Sequence, residues 1–137
     1  MDVSTAFLYG ELDEEIYIDP PEGFEGKVNK NQVLKLNKAL YGLKQAPRKW
    51  NETLVKFFKE HNFEQLKTDN CVFQNGKLII AVYVDDLAIL GKDEFKRNIN
   101  KRFKTKDLGL LRNILGITVE HLKDGRLLIN QKSYLIS

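Results

Sequence analysis

Apolar residues recur at helical spacing in two segments of the chain. The first segment starts at Arg48, and its apolar positions are Trp50, Leu54, Phe57, Phe58 and His61. This spacing predicts an amphipathic helix, and Pro47 suits its first turn because an N–H there has no partner within the helix. The second segment predicts a helix from Asp93, as N-cap, to Phe103. Its apolar positions recur every fourth residue, at Phe95, Ile99 and Phe103.

Two other stretches place turn residues between apolar runs and predict β-hairpins. Asn75-Gly76 separates CVFQ from KLIIAVYV, and both residues tolerate the positive φ of a type I′ turn. Asp124-Gly125 separates ITVEHL from RLLIN in the same way. In addition, MDVSTAF predicts a short strand, and QKSYLIS predicts the opening turn of a helix.

The order of these elements predicts an α+β fold. A strand, a helix, a strand pair, a second helix and a second strand pair suit a mostly antiparallel sheet with helices packed on one face. Ferredoxin-like RNA-binding modules have a similar order. The architecture alone therefore leaves the function open.

Composition limits the class of protein without naming its function. The chain has 137 residues, of which 42% are apolar and 30% charged, as expected for one globular domain. Cys71 is the single cysteine, which excludes an internal disulfide and a cysteine-based zinc site. The longest apolar run, LIIAVYV, is too short for a membrane span, and the N-terminus lacks the features of a signal peptide. We therefore expect an intracellular, cytoplasmic protein.

The charge distribution is uneven. The net charge is only +3, from 22 basic and 19 acidic residues, which by itself does not imply a nucleic-acid partner. ELDEEIYIDPPEGFE is acidic, whereas KLNKALYGLKQAPRKW and KRNINKRFKTK are basic. The simplest interpretation of each basic run is a solvated helix face.

Two adjacent carboxylates interrupt the apolar run LIIAVYVDDLAIL. Burying an ionised carboxylate costs several kcal/mol, so Asp85 and Asp86 are expected at the tip of a hairpin between LIIAVYV and LAILG. Two like charges so close repel one another unless a cation lies between them. Hard oxygen ligands select Mg²⁺ or Mn²⁺, so the pair predicts a metal site. An ordinary surface turn is the alternative.

A third carboxylate on a neighbouring strand would strengthen the metal prediction, and Asp2 is the candidate. Three aspartates on adjacent strands hold two cations about 3.5–4 Å apart in enzymes of phosphoryl transfer. Spacing alone equally allows Asp2 to be a capping residue near a frayed terminus.

Four blocks of sequence resemble one family closely. MDVSTAFLYGELDEEIYIDPPEGF, LNKALYGLKQAPRKWN, VYVDDLAILG and FKTKDLGLLRNILGI are similar, in the same order, to the Ty1/copia class of retrotransposon reverse transcriptases. The resemblance covers essentially the whole chain. It implies a polymerase palm-like fold with a ferredoxin-like core, and a single partial reverse transcriptase domain over residues 1–137.

The resemblance also implies roles for particular residues. The three catalytic aspartates of the family match Asp2, Asp85 and Asp86, which would bind two Mg²⁺ or Mn²⁺ ions with the carbonyl of Val3. The aromatic residue that excludes a ribose 2′-hydroxyl matches Phe7; a core phenylalanine is the alternative.

Further positions match the parts of the family that handle nucleotide and template. The block LYGLKQAP supplies Tyr41, Gly42, Lys44, Gln45 and Pro47. Tyr83 matches the aromatic residue beside the aspartate pair, and residues 115–117 resemble the primer-gripping hairpin. Lys104 or Lys106 lies where polymerases often place a general acid for the pyrophosphate leaving group, although a solvated face is the simpler interpretation.

The implied reaction is the extension of a primer 3′-hydroxyl by a deoxynucleoside triphosphate, templated by RNA or DNA. The implied partners are the template-primer and the remainder of a Pol polyprotein, with its fingers, thumb and ribonuclease H, in a virus-like particle and without a membrane. Because the chain starts one residue before Asp2 and stops at Ser137, we expect most of the fingers and the thumb to be missing. We therefore expect little or no activity from the isolated chain. A non-catalytic nucleic-acid-binding or protein-interaction domain of retroelement origin is the alternative.

Overall fold

A computed structural model describes residues 1–24, 27, 29, 31–91 and 94–135. Besides a 3₁₀ helix at Ala6–Tyr9, the elements in chain order are β1 (Asp2–Val3), β2 (Tyr17–Ile18), β3 (Leu34–Lys35), α1 (Ala46–Glu60), β4 (Glu64–Gln65), β5 (Val72–Gln74), β6 (Ile79–Tyr83), β7 (Asp86–Leu90), α2 (Glu94–Arg102), β8 (Thr105–Lys106), β9 (Asn113–Ile114), β10 (Ile117–His121), β11 (Leu127–Asn130) and α3 (Lys132–Leu135).

Helix α1 forms where the apolar spacing predicts it. Pro47 occupies the first turn, as expected for a residue without an N–H to donate. The buried face consists of Ala46, Trp50, Leu54, Phe57 and Phe58. The helix ends before Asn62, whose φ of 60° cannot continue a right-handed helix. Burial of such a face, at roughly 1.5–3 kcal/mol for each large side chain, stabilises the helix more than local propensity does.

Helix α2 is also confirmed over the residues that the structure describes. It ends at Arg102, one residue before the predicted Phe103, whose N–H still donates to the carbonyl of Ile99. The three apolar positions are almost fully buried, with Phe95, Ile99 and Phe103 at 5%, 0% and 1% exposure. They join the same core as the buried face of α1. The predicted N-cap, Asp93, lies outside the described residues.

The main sheet has six strands in the order β4-β5-β6-β7-β1-β8, and its paired neighbours are antiparallel. The strand side chains that join the helical core are Val3, Phe73, Ile80, Val82 and Leu87. Because side chains alternate along a strand, one face of the sheet packs on both helices and the other faces away. The predicted α+β class, with helices on one face of a mostly antiparallel sheet, is confirmed.

The first predicted strand is shorter than MDVSTAF suggests. Only Asp2 and Val3 are extended, and the 3₁₀ helix follows directly. Thr5, with φ of 54°, lies in a turn between them. The strand prediction relied on the β propensity of the segment, which this turn overrides.

Both predicted hairpins are present, but the first turn differs in detail. Gln74 pairs with Ile79, so four residues connect β5 to β6. Gly76 alone has positive φ, at 78°, while Asn75 accepts the N–H groups of Lys77 and Leu78 with its side-chain oxygen. The expectation of positive φ at both Asn75 and Gly76 was therefore wrong, because the asparagine acts through its side chain.

Residues 113–130 form a separate three-stranded sheet, β11-β10-β9. Leu127, Leu128 and Ile129 on β11 are each at least 45% exposed, so this sheet contributes little to the core. Cys71 is free and exposed. No helix in the described ranges is both long enough and apolar enough to span a membrane.

Candidate active site

The aspartate pair lies at the tip of the β6–β7 hairpin, as the sequence predicts. Tyr83 pairs with Asp86, so the connection consists of Val84 and Asp85 only. Val84 has φ of 54°, an unusual backbone conformation for a β-branched residue. Asp85 therefore belongs to the turn, and Asp86 is the first residue of β7.

Four polar or aromatic side chains form a row across four neighbouring strands. Asp86 is the partner of Tyr83 on one side and of Asp2 on the other, and Asp2 is in turn the partner of Lys106. Residues directly opposite one another in an antiparallel sheet point to the same face. The adjacent positions Val3, Val82 and Leu87 are buried in the helical core, so the row Tyr83–Asp86–Asp2–Lys106 lies on the other face.

Backbone hydrogen bonds fix how close Asp2 and Asp86 are. The N–H of Val3 donates to the carbonyl of Asp85 at 2.9 Å, and the N–H of Leu87 donates to the carbonyl of Met1 at 2.8 Å. These bonds flank the pair and make it a non-hydrogen-bonded pair, the closer of the two types in an antiparallel ladder. The Cβ atoms of such a pair are roughly 4.5–5.5 Å apart. Two aspartates more than eighty residues apart in sequence are thus direct neighbours.

The negative charge of this row acts on the adjacent Met1 amino group. Burial lowers the pKa of that amino group, whereas the carboxylates of Asp107, Asp86 and Asp2 act in the opposite direction. Asp2 is half-buried and Asp86 is exposed, so the pair is open to ions from solvent.

Asp85 is not joined to Asp2 and Asp86 in a ligand cluster. Across residues 1–24, 27, 29, 31–91 and 94–135, no three His, Cys, Asp or Glu side chains form a group that could hold a metal ion. The structure brings Asp2 and Asp86 together, and Asp85 lies in the turn, one residue before Asp86. Two carboxylates still fit Mg²⁺, which commonly takes one or two carboxylates and completes its shell with water and substrate phosphate oxygens.

The two candidate lysines differ in position. Lys106 lies on β8 directly opposite Asp2 and is exposed. Lys104 precedes β8, and its backbone contacts the N-terminal segment: its N–H donates to the hydroxyl of Tyr9 at 2.7 Å, and its carbonyl accepts the N–H of Ser4 at 2.8 Å. The register therefore favours Lys106 as the cation beside the aspartate pair.

The predicted nucleotide-handling residues are partly brought together. The rings of Phe7 and Tyr41 have centroids 4.4 Å apart. Gly42 has φ of 98°, which explains the glycine there, and Lys44 is exposed. Gln45, at the N-cap of α1, donates to the carboxylate of Glu14 at 2.7 Å.

Two features of the site were not predicted from the sequence. The indole N–H of Trp50 donates to the carbonyl of Val84 at 2.6 Å, which ties α1 to the aspartate turn. The acidic segment contacts the start of α1, where Asp13 and Glu52 pair with Lys49. These contacts raise the pKa of Lys49, and the hydrogen bond that Lys49 donates to the Asp13 carboxylate is the largest cause. The buried indole of Trp50 requires an acceptor, but the sequence does not indicate which backbone carbonyl accepts its N–H.

Comparison with known proteins decides the family. The family model described as reverse transcriptase (RNA-dependent DNA polymerase) matches residues 1–137. This chain belongs to the reverse transcriptase family. The resemblance to the Ty1/copia class, stated above from four sequence blocks, is thereby confirmed.

Similar curated proteins of this reverse transcriptase family come from plants and yeast. A Retrovirus-related Pol polyprotein from transposon TNT 1-94 of Nicotiana tabacum is 42% identical over 146 residues, covering 98% of this chain and 11% of the relative. One from transposon RE1 of Arabidopsis thaliana is 39% identical, covering 99% and 10%. A putative transposon Ty5-1 protein of Saccharomyces cerevisiae is 34% identical, covering 98% and 47%.

The chain spans about a tenth of the length of the two plant polyproteins and about half of the yeast protein. No solved structure matches this reverse transcriptase chain significantly.

Proposed function

We propose that this chain is the palm, with a ferredoxin-like core, of an RNA-directed DNA polymerase, and that residues 1–137 are one part of that polymerase domain. The observation that carries the proposal is the register of Asp2 opposite Asp86, which makes two separate sequence blocks of the reverse transcriptase family into neighbours. The rest of a Pol polyprotein and a template-primer of RNA or DNA are the proposed partners, and the cytoplasm the proposed location.

In this proposal Asp2 and Asp86 hold divalent cations, Mg²⁺ or Mn²⁺, with Asp85 and the Val3 carbonyl as further ligands. Two such ions, when bound, lower the pKa of a primer hydroxyl and neutralise the charge of a triphosphate. The chain itself supplies negative charge at one spot on an exposed sheet face. Positioning and charge stabilisation account for most of the rate in phosphoryl transfer, so little covalent work falls to the protein.

In the reaction one P–O bond forms, another breaks and two protons move, with solvent returning a proton to Lys106 afterwards. The primer 3′-oxygen attacks the α-phosphorus of a deoxynucleoside triphosphate, and the bond from that phosphorus to the bridging oxygen breaks. The proton of the 3′-hydroxyl leaves to solvent, and the departing pyrophosphate takes a proton from Lys106. We assign this role to Lys106 and not Lys104 because Lys106 is the direct neighbour of Asp2.

Substrate selection follows from the aromatic contacts. Phe7 and Tyr41 pack against one another, and this contact restricts the orientation of the Phe7 ring. A ring at this point would collide with a ribose 2′-hydroxyl and favour deoxynucleotides. Gly42, Lys44, Gln45 and Tyr83 would line the path of the nucleotide and template. Replacing Phe7 by alanine should therefore raise ribonucleotide incorporation relative to deoxynucleotide incorporation.

Metal binding tests the proposal directly. In an electron paramagnetic resonance titration, the chain should bind Mn²⁺ weakly, and Asp86→Ala should abolish this binding. Asp19→Asn is the matched control because Asp19 is an exposed aspartate outside the row. RNA binding by a chain that is indifferent to metal would instead favour the non-catalytic nucleic-acid-binding alternative.

A primer-extension assay with Mg²⁺ adds the activity itself. Any extension by the chain should disappear in Asp85→Asn and Asp86→Asn and persist in Asp19→Asn. Extension that survives loss of either aspartate would contradict the proposed roles.

A further inference from the structure

We propose that Trp50 is a positioning residue for the aspartate turn: its indole N–H holds the Val84–Asp85 peptide in place and so sets the orientation of Asp85 and Asp86. This inference rests on the proposed function for the role of the aspartates, but the effect on the turn itself does not depend on a metal.

The hydrogen bond joins two distant segments. Nε1 of Trp50 lies 2.6 Å from the carbonyl oxygen of Val84, across 34 residues of sequence. That carbonyl belongs to the peptide group whose nitrogen is the backbone nitrogen of Asp85. Because a peptide group is planar, a bond that fixes its oxygen also fixes the direction in which the chain enters Asp85.

The backbone conformation of the turn at Val84 requires support from its surroundings. Val84 adopts φ of 54°, and for a β-branched residue this conformation is an outlier that persists only when the surroundings impose it. The Val84 side chain is 42% exposed, so its own burial does not impose the conformation. The bond from Trp50 acts on the backbone of this residue directly.

Trp50 itself is firmly held. Its side chain is 2% exposed, and its ring meets that of Phe103 edge-on, with centroids 5.2 Å apart. Phe103 also meets Tyr9 edge-on at 5.0 Å, and the Tyr9 hydroxyl accepts the N–H of Lys104, next to β8. The aspartate turn is thereby attached to the aromatic core, which also contacts the segment leading to Lys106.

A packing role alone is the competing explanation, and two variants separate it from positioning. Trp50→Phe keeps an aromatic ring and removes the N–H. Phe58→Leu is the matched control, because Phe58 is fully buried. Its ring packs on those of Phe57, Phe63, Phe73 and Phe95, none of which belongs to the turn. Both variants are expected to destabilise the fold, but only the first should affect the aspartates.

The first measurement needs no metal. In ¹H–¹⁵N spectra of the metal-free chain, Trp50→Phe should shift the backbone amide signal of Asp85, because the carbonyl oxygen of the same peptide group loses its hydrogen bond. Phe58→Leu should leave that signal unchanged. If the Asp85 amide responds equally to both variants, or to neither, the positioning role is overturned.

The second measurement uses Mn²⁺. Trp50→Phe should weaken Mn²⁺ binding about tenfold, and Phe58→Leu should leave it within twofold. In a Val84→Gly background the loss on Trp50→Phe should shrink, because glycine adopts positive φ without strain. An undiminished loss in that background contradicts the account of the turn.

The unique tryptophan supplies a direct signal as well, since the chain contains one Trp. Its single indole ¹H–¹⁵N resonance should shift on addition of Mg²⁺ and stay unchanged in Asp86→Asn. A chain that binds no Mg²⁺ or Mn²⁺ but still shows the Asp85 response to Trp50→Phe would refute the proposed function while supporting the positioning role.

Discussion

Replacing Asp86 by asparagine tests whether the two paired aspartates form an ion site. Without metal, the carboxylates of Asp2 and Asp86 repel one another, and we take their separation as that of the Cβ atoms, roughly 5 Å in a directly opposed pair. Coulomb's law gives about 0.8 kcal/mol at the dielectric constant of water and about 3 kcal/mol at a value of 20. Because Asp86 is exposed and Asp2 only half-buried, the lower end applies. Asp86→Asn should therefore stabilise the metal-free chain by about 1 kcal/mol.

Bound metal should make the original chain more stable than Asp86→Asn. A ligand that binds only the folded chain adds about 1.4 kcal/mol at ten times its dissociation constant. Mn²⁺ should thus stabilise the chain with Asp86 and have little effect on Asp86→Asn. Urea unfolding followed by circular dichroism, with and without Mn²⁺, measures both effects as shifts of the midpoint.

Asp19→Asn serves as the control for loss of one negative charge and should shift the midpoint by less than about 0.5 kcal/mol. A lower stability of Asp86→Asn than of the original chain without metal would contradict the predicted repulsion. Equal stabilisation of both chains by Mn²⁺ would contradict an ion site at Asp86.

Three further predictions concern the surroundings of the site. Lys106→Ala should lower the thermal midpoint of the metal-free chain, because it removes the opposite charge beside Asp2. Calorimetry at low and high salt checks this, since salt should reduce the difference. Ile80→Ala, at a fully buried position, should cost about 2–5 kcal/mol in urea unfolding, and a smaller loss would show that the core closes over the cavity. The pKa of Asp107 is lowered, first by the backbone N–H of Gly109, so its stabilising effect is present above about pH 4 and disappears as pH falls through the lowered value. Thermal unfolding should therefore separate Asp107→Asn from the original chain at pH 6 and not at the acid end.

Much of the fold follows from local sequence because the relevant signals are local. The apolar spacing around Leu54 and Phe58 predicted α1, and burial of these side chains confirms it. The hairpin that carries Asp85 and Asp86 followed from the cost of burying carboxylates within an apolar run.

The features that the sequence did not predict depend on contacts between residues far apart in the chain. The sequence suggested Asp2 as a third carboxylate but could not give its register opposite Asp86, because register is set by pairing between segments far apart in the chain. The acceptor of the Trp50 indole and the positive φ of Thr5 are likewise consequences of tertiary structure. Whether Asp85 joins the other two aspartates around an ion stays a prediction.

The position of β1 also constrains how the molecule is assembled. The first strand is inserted between β7 and β8, both of which lie more than eighty residues later in the chain. During synthesis Asp2 therefore has no strand partner until Asp86 has left the ribosome, and Lys106 pairs with it from the other side later still. Such sequence-distant pairings slow folding, because the entropy of a long loop is lost before the contact forms. The carboxylate pair should therefore be among the last features to appear in a refolding experiment.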